Sequence, residues 1–139
     1  MGAWENAYRQ GKQLDMKPHP EIGKIADFFA KEDVARILDL GSGAGRHLIY
    51  LSQRGFDVYG LDSAPSGLAH TLIALQKEDL TACVTLHDMS SLPFDAGYFD
   101  AVISIQVIHH NRLDAIKRTV GEIRRVLKGG GFVWATLPV

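Results

Sequence analysis

A chain of 139 residues has the length of one ordinary domain, and with 46% hydrophobic and 22% charged residues it reads as folded rather than disordered. Its formal net charge of -1 offers no electrostatic basis for a nucleic-acid or membrane partner. The single cysteine, Cys83, excludes an intrachain disulfide and a cysteine-based metal cluster, which is compatible with a reducing, cytoplasmic setting. No apolar run approaches membrane-spanning length, residues 1–10 lack the apolar core of a signal peptide, and no metal motif is visible.

In chain order, residues 1–19 form a segment apart, read as a lid or an adapter packed on the domain. Trp4 and Tyr8 stand one turn apart if helical, and Pro18 and Pro20 break the run. Residues 20–139 read as one domain. A helix is expected over 21–31, where Ile22, Ile25, Phe28 and Phe29 make an apolar stripe. Short apolar runs at 35–40, 57–62, 83–88, 101–107 and 132–137 read as strands, nearly continuous in the manner of parallel strands covered on both faces. A helix over about 44–54 follows the first strand. Between 114 and 127 a second stripe is Ile116, Val120, Ile123 and Leu127, with Arg124, Arg125 and Lys128 read as a solvated basic face. Lys128 followed by Gly129-Gly130-Gly131 reads as a cationic last turn and a glycine stop. Alternating strands and helices predict an α/β fold, a doubly wound parallel sheet with right-handed crossovers.

Ligands of such sheets bind beyond the carboxyl ends of the strands, and the informative residues lie there. Asp39-Leu40-Gly41-Ser42-Gly43-Ala44-Gly45 closes the first strand, its glycines allowing a sharp turn and close backbone approach beside a helix N-terminus. A dinucleotide fingerprint wants glycine where Arg46 stands, which argues against a nicotinamide cofactor. Asp62 ends the second strand, where a carboxylate accepts from both hydroxyls of a ribose; the competing reading is a helix cap in Asp62-Ser63-Ala64-Pro65. Asp88 ends the third strand and suits an adenine amino group, or else a turn before Met89-Ser90-Ser91. His109 and His110, adjacent on a helix, point about 100° apart and make a poor metal pair. Arg46 and His47 are read as helix-surface residues, with contact to a ligand carboxylate as the second reading.

Taken as a set, ILDLGSGAGRH (37–47), VYGLD (58–62), HDMSSLPF (87–94), YFDAVISIQVIHH (98–110) and RVLKGGGFVWATL (125–137) resemble the class I S-adenosylmethionine-dependent methyltransferases over residues 20–139. The resemblance implies a Rossmann-like sheet in the order 3-2-1-4-5, lacking the family's usual last two strands. It implies that Asp39 with the loop Gly41, Ser42, Gly43 and Gly45 holds the methionine moiety. Asp62 and Ser63 would hold the ribose, Asp88 and Met89 the adenine, and Gln106 would line the pocket beside the sulfonium. The implied activity is direct methyl transfer from S-adenosylmethionine, releasing S-adenosylhomocysteine, to an acceptor expected to be a small molecule rather than nucleic acid. No catalytic residue is assigned. A cofactor-holding module without turnover is the alternative. Strand 132–137 is expected at an exposed apolar edge, and with it homodimerisation.

Overall fold

The computed structural model describes residues 17–105 and 113–136. The elements run α1 (Ile22–Lys31), β1 (Arg36–Leu40), α2 (Arg46–Gln53), β2 (Asp57–Asp62), α3 (Pro65–Lys77), β3 (Cys83–Leu86), β4 (Phe99–Ile105), α4 (Leu113–Val126) and β5 (Leu127–Thr136). The five strands form one sheet in the order β3-β2-β1-β4-β5, as the resemblance implied. All four pairings are parallel, with Asp39 beside Gly60 on one flank and Ile103 on the other.

Strand alternation divides the apolar residues between two faces. Ile37, Val58, Ala101 and Ile103 join Ile22, Ala26 and Phe29 of α1, Leu48 and Leu51 of α2, and Leu75 of α3 in one core. Leu38, Leu40, Leu61 and Val102 face the other way, against Ile123 and Val126 of α4 and against Leu92 of the long β3–β4 loop. One face thus carries three helices and the other a helix and a loop. β1 lies at the centre, and its carboxyl end delivers the glycine loop.

Several expected boundaries move. The buried residues of α4 are Thr119, Ile123 and Val126, while Val120 is 54% exposed, so the helix is turned from the stripe read in the sequence. Thr119 Oγ1 donates to the Ala115 carbonyl at 2.9 Å, which lets a polar side chain take the buried place. In α1, Phe28 is half-exposed and meets Phe132 edge-on at 5.0 Å.

The largest change is at β5. Helix and strand abut at Val126–Leu127, so Lys128 does not end a helix and the glycines are no helix stop. Leu127 pairs with Phe99 and Phe132 with Ala101, so β5 spends five residues where β4 spends two, and residues 128–131 bulge from the ladder. A Cβ on Gly131 would lie 2.9 Å from the carbonyl oxygens of both Asp100 and Lys128, which restricts that position to glycine. Lys128 pairs instead with Asp100, Nζ to Oδ1 at 3.1 Å.

Candidate cofactor site at the carboxyl ends of the strands

The loop after β1 is built as an extension of the sheet. The amides of Gly41 and Ser42 both donate to the Leu61 carbonyl, at 2.7 and 3.0 Å, so the loop starts from the ladder with β2. The amide of Gly43 donates to Asp62 Oδ2 at 2.7 Å, joining the loop to the acid at the end of β2. Gly45 caps α2 with φ 92°, a left-handed conformation that side chains strain to adopt. A Cβ there would also lie 2.8 Å from Thr71 Oγ1. Thr71, buried on α3, shares its hydroxyl proton between the carbonyls of Gly43 and Gly67, each at 3.0 Å, and so ties the loop to the helix. Thr71 is a part of the site that sequence reasoning missed; its only signal was a polar residue on an apolar helix face.

Asp39 is 2% exposed, and its Oδ2 has no hydrogen-bond partner. Burial, reinforced by the nearby Asp62 carboxylate, pushes its pKa up to about 7, against the opposing pull of Arg46 and of a Leu48 backbone hydrogen bond. Ser42 Oγ, also buried, is likewise without a partner. Buried polar atoms without partners are costly, and a cationic or donor ligand reaching the end of β1 would satisfy Asp39 Oδ2.

Asp62 accepts from Gly43 through Oδ2 and from the Ala64 amide through Oδ1 at 2.9 Å. The second bond is a turn leading into α3, not a side-chain cap; α3 is capped by Ala64 without a side-chain bond. A carboxylate has about four acceptor sites, so two bonds leave capacity for ligand hydroxyls. Ser63 beside it is exposed.

β3 ends at Leu86, so Asp88 lies beyond the strand, in a turn where its Oδ1 accepts from the Ser90 amide at 2.7 Å and from the Ser90 hydroxyl. These bonds hold its carboxyl below the usual range. The turn reading and a role toward a ligand are therefore compatible, since Oδ2 is not used by either bond. Met89 packs its side chain on the second core. The turn hangs from β2 through the His87 amide, which donates to the Asp62 carbonyl at 2.9 Å.

His47 corrects the reading as a surface residue: it is buried, 4% exposed, and its Nε2 accepts from the His19 amide at 3.0 Å. Burial, then the charges of Arg46 and His19, lower its pKa to about 3, so the ring is neutral. Arg46 donates to the Lys17 carbonyl at 3.2 Å. Of the expected segment 1–19, the described residues thus lie along the first turn of α2. Ser104 Oγ on β4 is a further buried, unpartnered group near the same strand ends. Trp4, Tyr8, Gln106, His109 and His110 fall outside the described residues. Among the described residues no cluster of three or more potential metal ligands occurs, and no helix is long and apolar enough to cross a membrane.

Comparison with known proteins agrees with the fold. The family described as a methyltransferase domain matches residues 38–135. An uncharacterized methyltransferase of Synechocystis sp., sll0829, is 31% identical over 97 residues, 70% of this chain and 44% of that protein. The 18S rRNA (guanine(1575)-N(7))-methyltransferase of Saccharomyces cerevisiae is 45% identical over 74 residues, 52% of this chain and 26% of that protein. The structure of S-adenosylmethionine-bound CalS10, an amino pentose methyltransferase from Micromonospora echinaspora, superposes with a TM-score of 0.77 at 28% identity, covering 100% of this chain and 57% of that one. The chain therefore spans about half or less of the length of these relatives. The strand order, the glycine loop tied to Asp62 and a family match covering more than half of the sequence place the chain in the class I S-adenosylmethionine-dependent methyltransferases.

Proposed function

We propose that this domain binds S-adenosylmethionine at the carboxyl ends of β1, β2 and β3 and transfers its methyl group to a small-molecule acceptor. The observation that carries the reading is the pairing of a buried, unpartnered Asp39 Oδ2 with a glycine loop anchored on Asp62. The residues present fit the cofactor. Asp39 offers a desolvated carboxyl to the methionine ammonium, a group that a nicotinamide dinucleotide lacks, and Ser42 stands in the same loop. Asp62 receives the ribose hydroxyls beside exposed Ser63, and the Asp88–Met89 turn receives adenine. Gln106 is assigned to the sulfonium side.

When bound, S-adenosylmethionine supplies an electrophilic sulfonium methyl group. The chain's own contribution is orientation: the loop of Gly41, Gly43 and Gly45 is fixed by Leu61, Asp62 and Thr71, so a ligand resting on it meets a preformed surface. Orientation of this kind lowers barriers by several kcal/mol, and up to about 7–11 in ideal cases. No general base is assigned, because one is needed only for an acceptor of high pKa.

A small acceptor is supported by the net charge of -1, and the amino pentose acted on by CalS10 is an example of that class. The yeast relative supports a second reading, an RNA acceptor, and for that reason the acceptor panel must include RNA. A cofactor-holding module without turnover is the third. The lone Cys83, exposed and free, accords with a cytoplasmic setting.

Calorimetric titration with S-adenosylmethionine, S-adenosylhomocysteine and NAD tests the reading, with Asp62→Ala as control. Saturable binding of the first two, lost in Asp62→Ala and absent for NAD, is the expected result. Binding of NAD alone overturns it. Methyl incorporation from labelled cofactor into sugars, other small molecules or RNA then separates the acceptor classes, and no incorporation despite binding selects the module.

A further inference from the structure

The β3–β4 loop carries the two residues assigned to adenine, yet none of residues 87–98 belongs to a strand or helix. Four of its hydrogen bonds run to α4. The Leu92 amide donates to Glu122 Oε1 at 2.8 Å. Arg125 Nη2 donates to the Leu92 carbonyl at 2.9 Å, and Nη1 to the Phe94 carbonyl at 2.8 Å. Farther along, the Gly97 amide donates to the Arg125 carbonyl at 2.9 Å. Glu122 and Arg125 bond each other as well, Nε to Oε2 at 2.7 Å and Nη2 to Oε1 at 3.1 Å.

This is more than a surface ion pair, whose worth is commonly small. The guanidinium is divided between two loop carbonyls and both oxygens of a carboxylate, and one of those oxygens, Oε1, also takes the loop amide. The contact also sits over a core position, because Leu92 is buried in the second core with Ile123 of the same helix. Only Ser91 separates Leu92 from the Asp88–Ser90 turn, so the turn is held at both ends: by the His87 amide on the Asp62 carbonyl, and by Leu92 on α4.

We propose that Glu122 and Arg125 are positioning residues for the adenine-facing turn, setting the place of Asp88 and Met89 from α4 without touching the ligand. The proposal rests on the cofactor reading above. It makes α4 a specificity element for the nucleoside half of the ligand.

The test is a double-mutant cycle on the affinity for S-adenosylhomocysteine, measured by calorimetry for Asp88→Ala, Arg125→Ala and the double variant. Each single variant is expected to weaken binding about tenfold, and the double variant about as much as the worse single, because both act through one turn. Hydrogen exchange of the Leu92 and Ser90 amides is expected to accelerate in Arg125→Lys, which keeps charge but loses the fork, while Gly43 keeps its protection. Losses that multiply, wild-type affinity in Arg125→Ala or in Asp88→Ala, or unchanged exchange in Arg125→Lys would overturn the proposal. Should Arg125→Ala not fold, Arg125→Lys takes its place in the cycle. Asp62→Ala distinguishes the levels: full affinity there sinks the cofactor reading and this proposal together, whereas multiplied losses with Asp62 still required sink the positioning role alone.

Discussion

Asp62 Oδ2 accepts the amide of Gly43 at 2.7 Å, so the acid at the end of β2 and the glycine loop after β1 are one unit. A substitution in either is felt in both, and Asp39, buried near the end of β1, has its pKa raised first by burial and then by the Asp62 carboxylate. Its expected pH behaviour follows.

Between pH 3.8 and about 7 the folded chain holds more proton on Asp39 than the unfolded chain does, so stability from this site falls as pH rises, and the loss is complete above that window. Its size is on the order of a few kcal/mol. Asp39→Asn removes the ionisation and is expected to melt higher than the parent at pH 8, with a smaller gain at pH 5, while losing affinity for S-adenosylmethionine. Melting curves at the two pH values decide it; a gain independent of pH would refute it. His47 acts in the opposite sense. Below pH 6.5 the unfolded chain takes up a proton that the buried ring, at about 3, refuses, so that contribution to stability is lost as pH falls.

Gly45→Ala is expected to cost about 2–4 kcal/mol, from left-handed backbone strain and from collision with Thr71. Thr71→Ala in the same chain removes two of the three clashing atoms and recovers part of that loss, although the Thr71 bond to the Gly43 carbonyl goes with it. Chemical denaturation of the parent, both singles and the double variant measures the coupling, and strict additivity would show that the crowding is not real.

Asp100 gives one oxygen to the amides of Ala35 and Arg36, at 3.0 and 2.9 Å, and the other to Lys128. Asp100→Ala strands both amides at the entry to β1 and is expected to cost about 2 kcal/mol. Lys128→Ala removes only the exposed partner and is expected to cost under about 1 kcal/mol. Equal losses in urea melts would refute this ranking.

β5 ends the sheet among the described residues, and Val133 on it is 49% exposed. Association through this edge is expected for the chain as purified, and Val133→Lys is expected to shift sedimentation toward monomer. A parent that sediments as a monomer at every concentration would count against it.

The parts legible in the sequence were those whose meaning is local. Near-continuous apolar runs marked all five strands, and Asp39, the glycine loop and Asp62 lie within two such runs and their ends. What escaped reading depends on partners distant along the chain. His47 looks like a surface residue until the amide of His19, 28 positions away, is found on its ring. Arg125 looks solvated until the β3–β4 loop folds back to it, across 31 positions to Phe94. Thr119 takes the core place of Val120 because its hydroxyl is satisfied within the helix. Gly129–Gly131 carry the signal of a helix stop, yet the same permissive backbone serves a bulge, and only the register with β4 tells the two apart.

The imidazole of His19 lies edge-on to the indole of Trp134 at 5.3 Å, while the His19 amide rests on His47 at the start of α2. An optical reporter is therefore wired from the outer strand to the first turn after the glycine loop. In a Trp4→Phe background the emission of Trp134 would register any displacement of that turn, letting the loop be followed in stopped flow without an added dye.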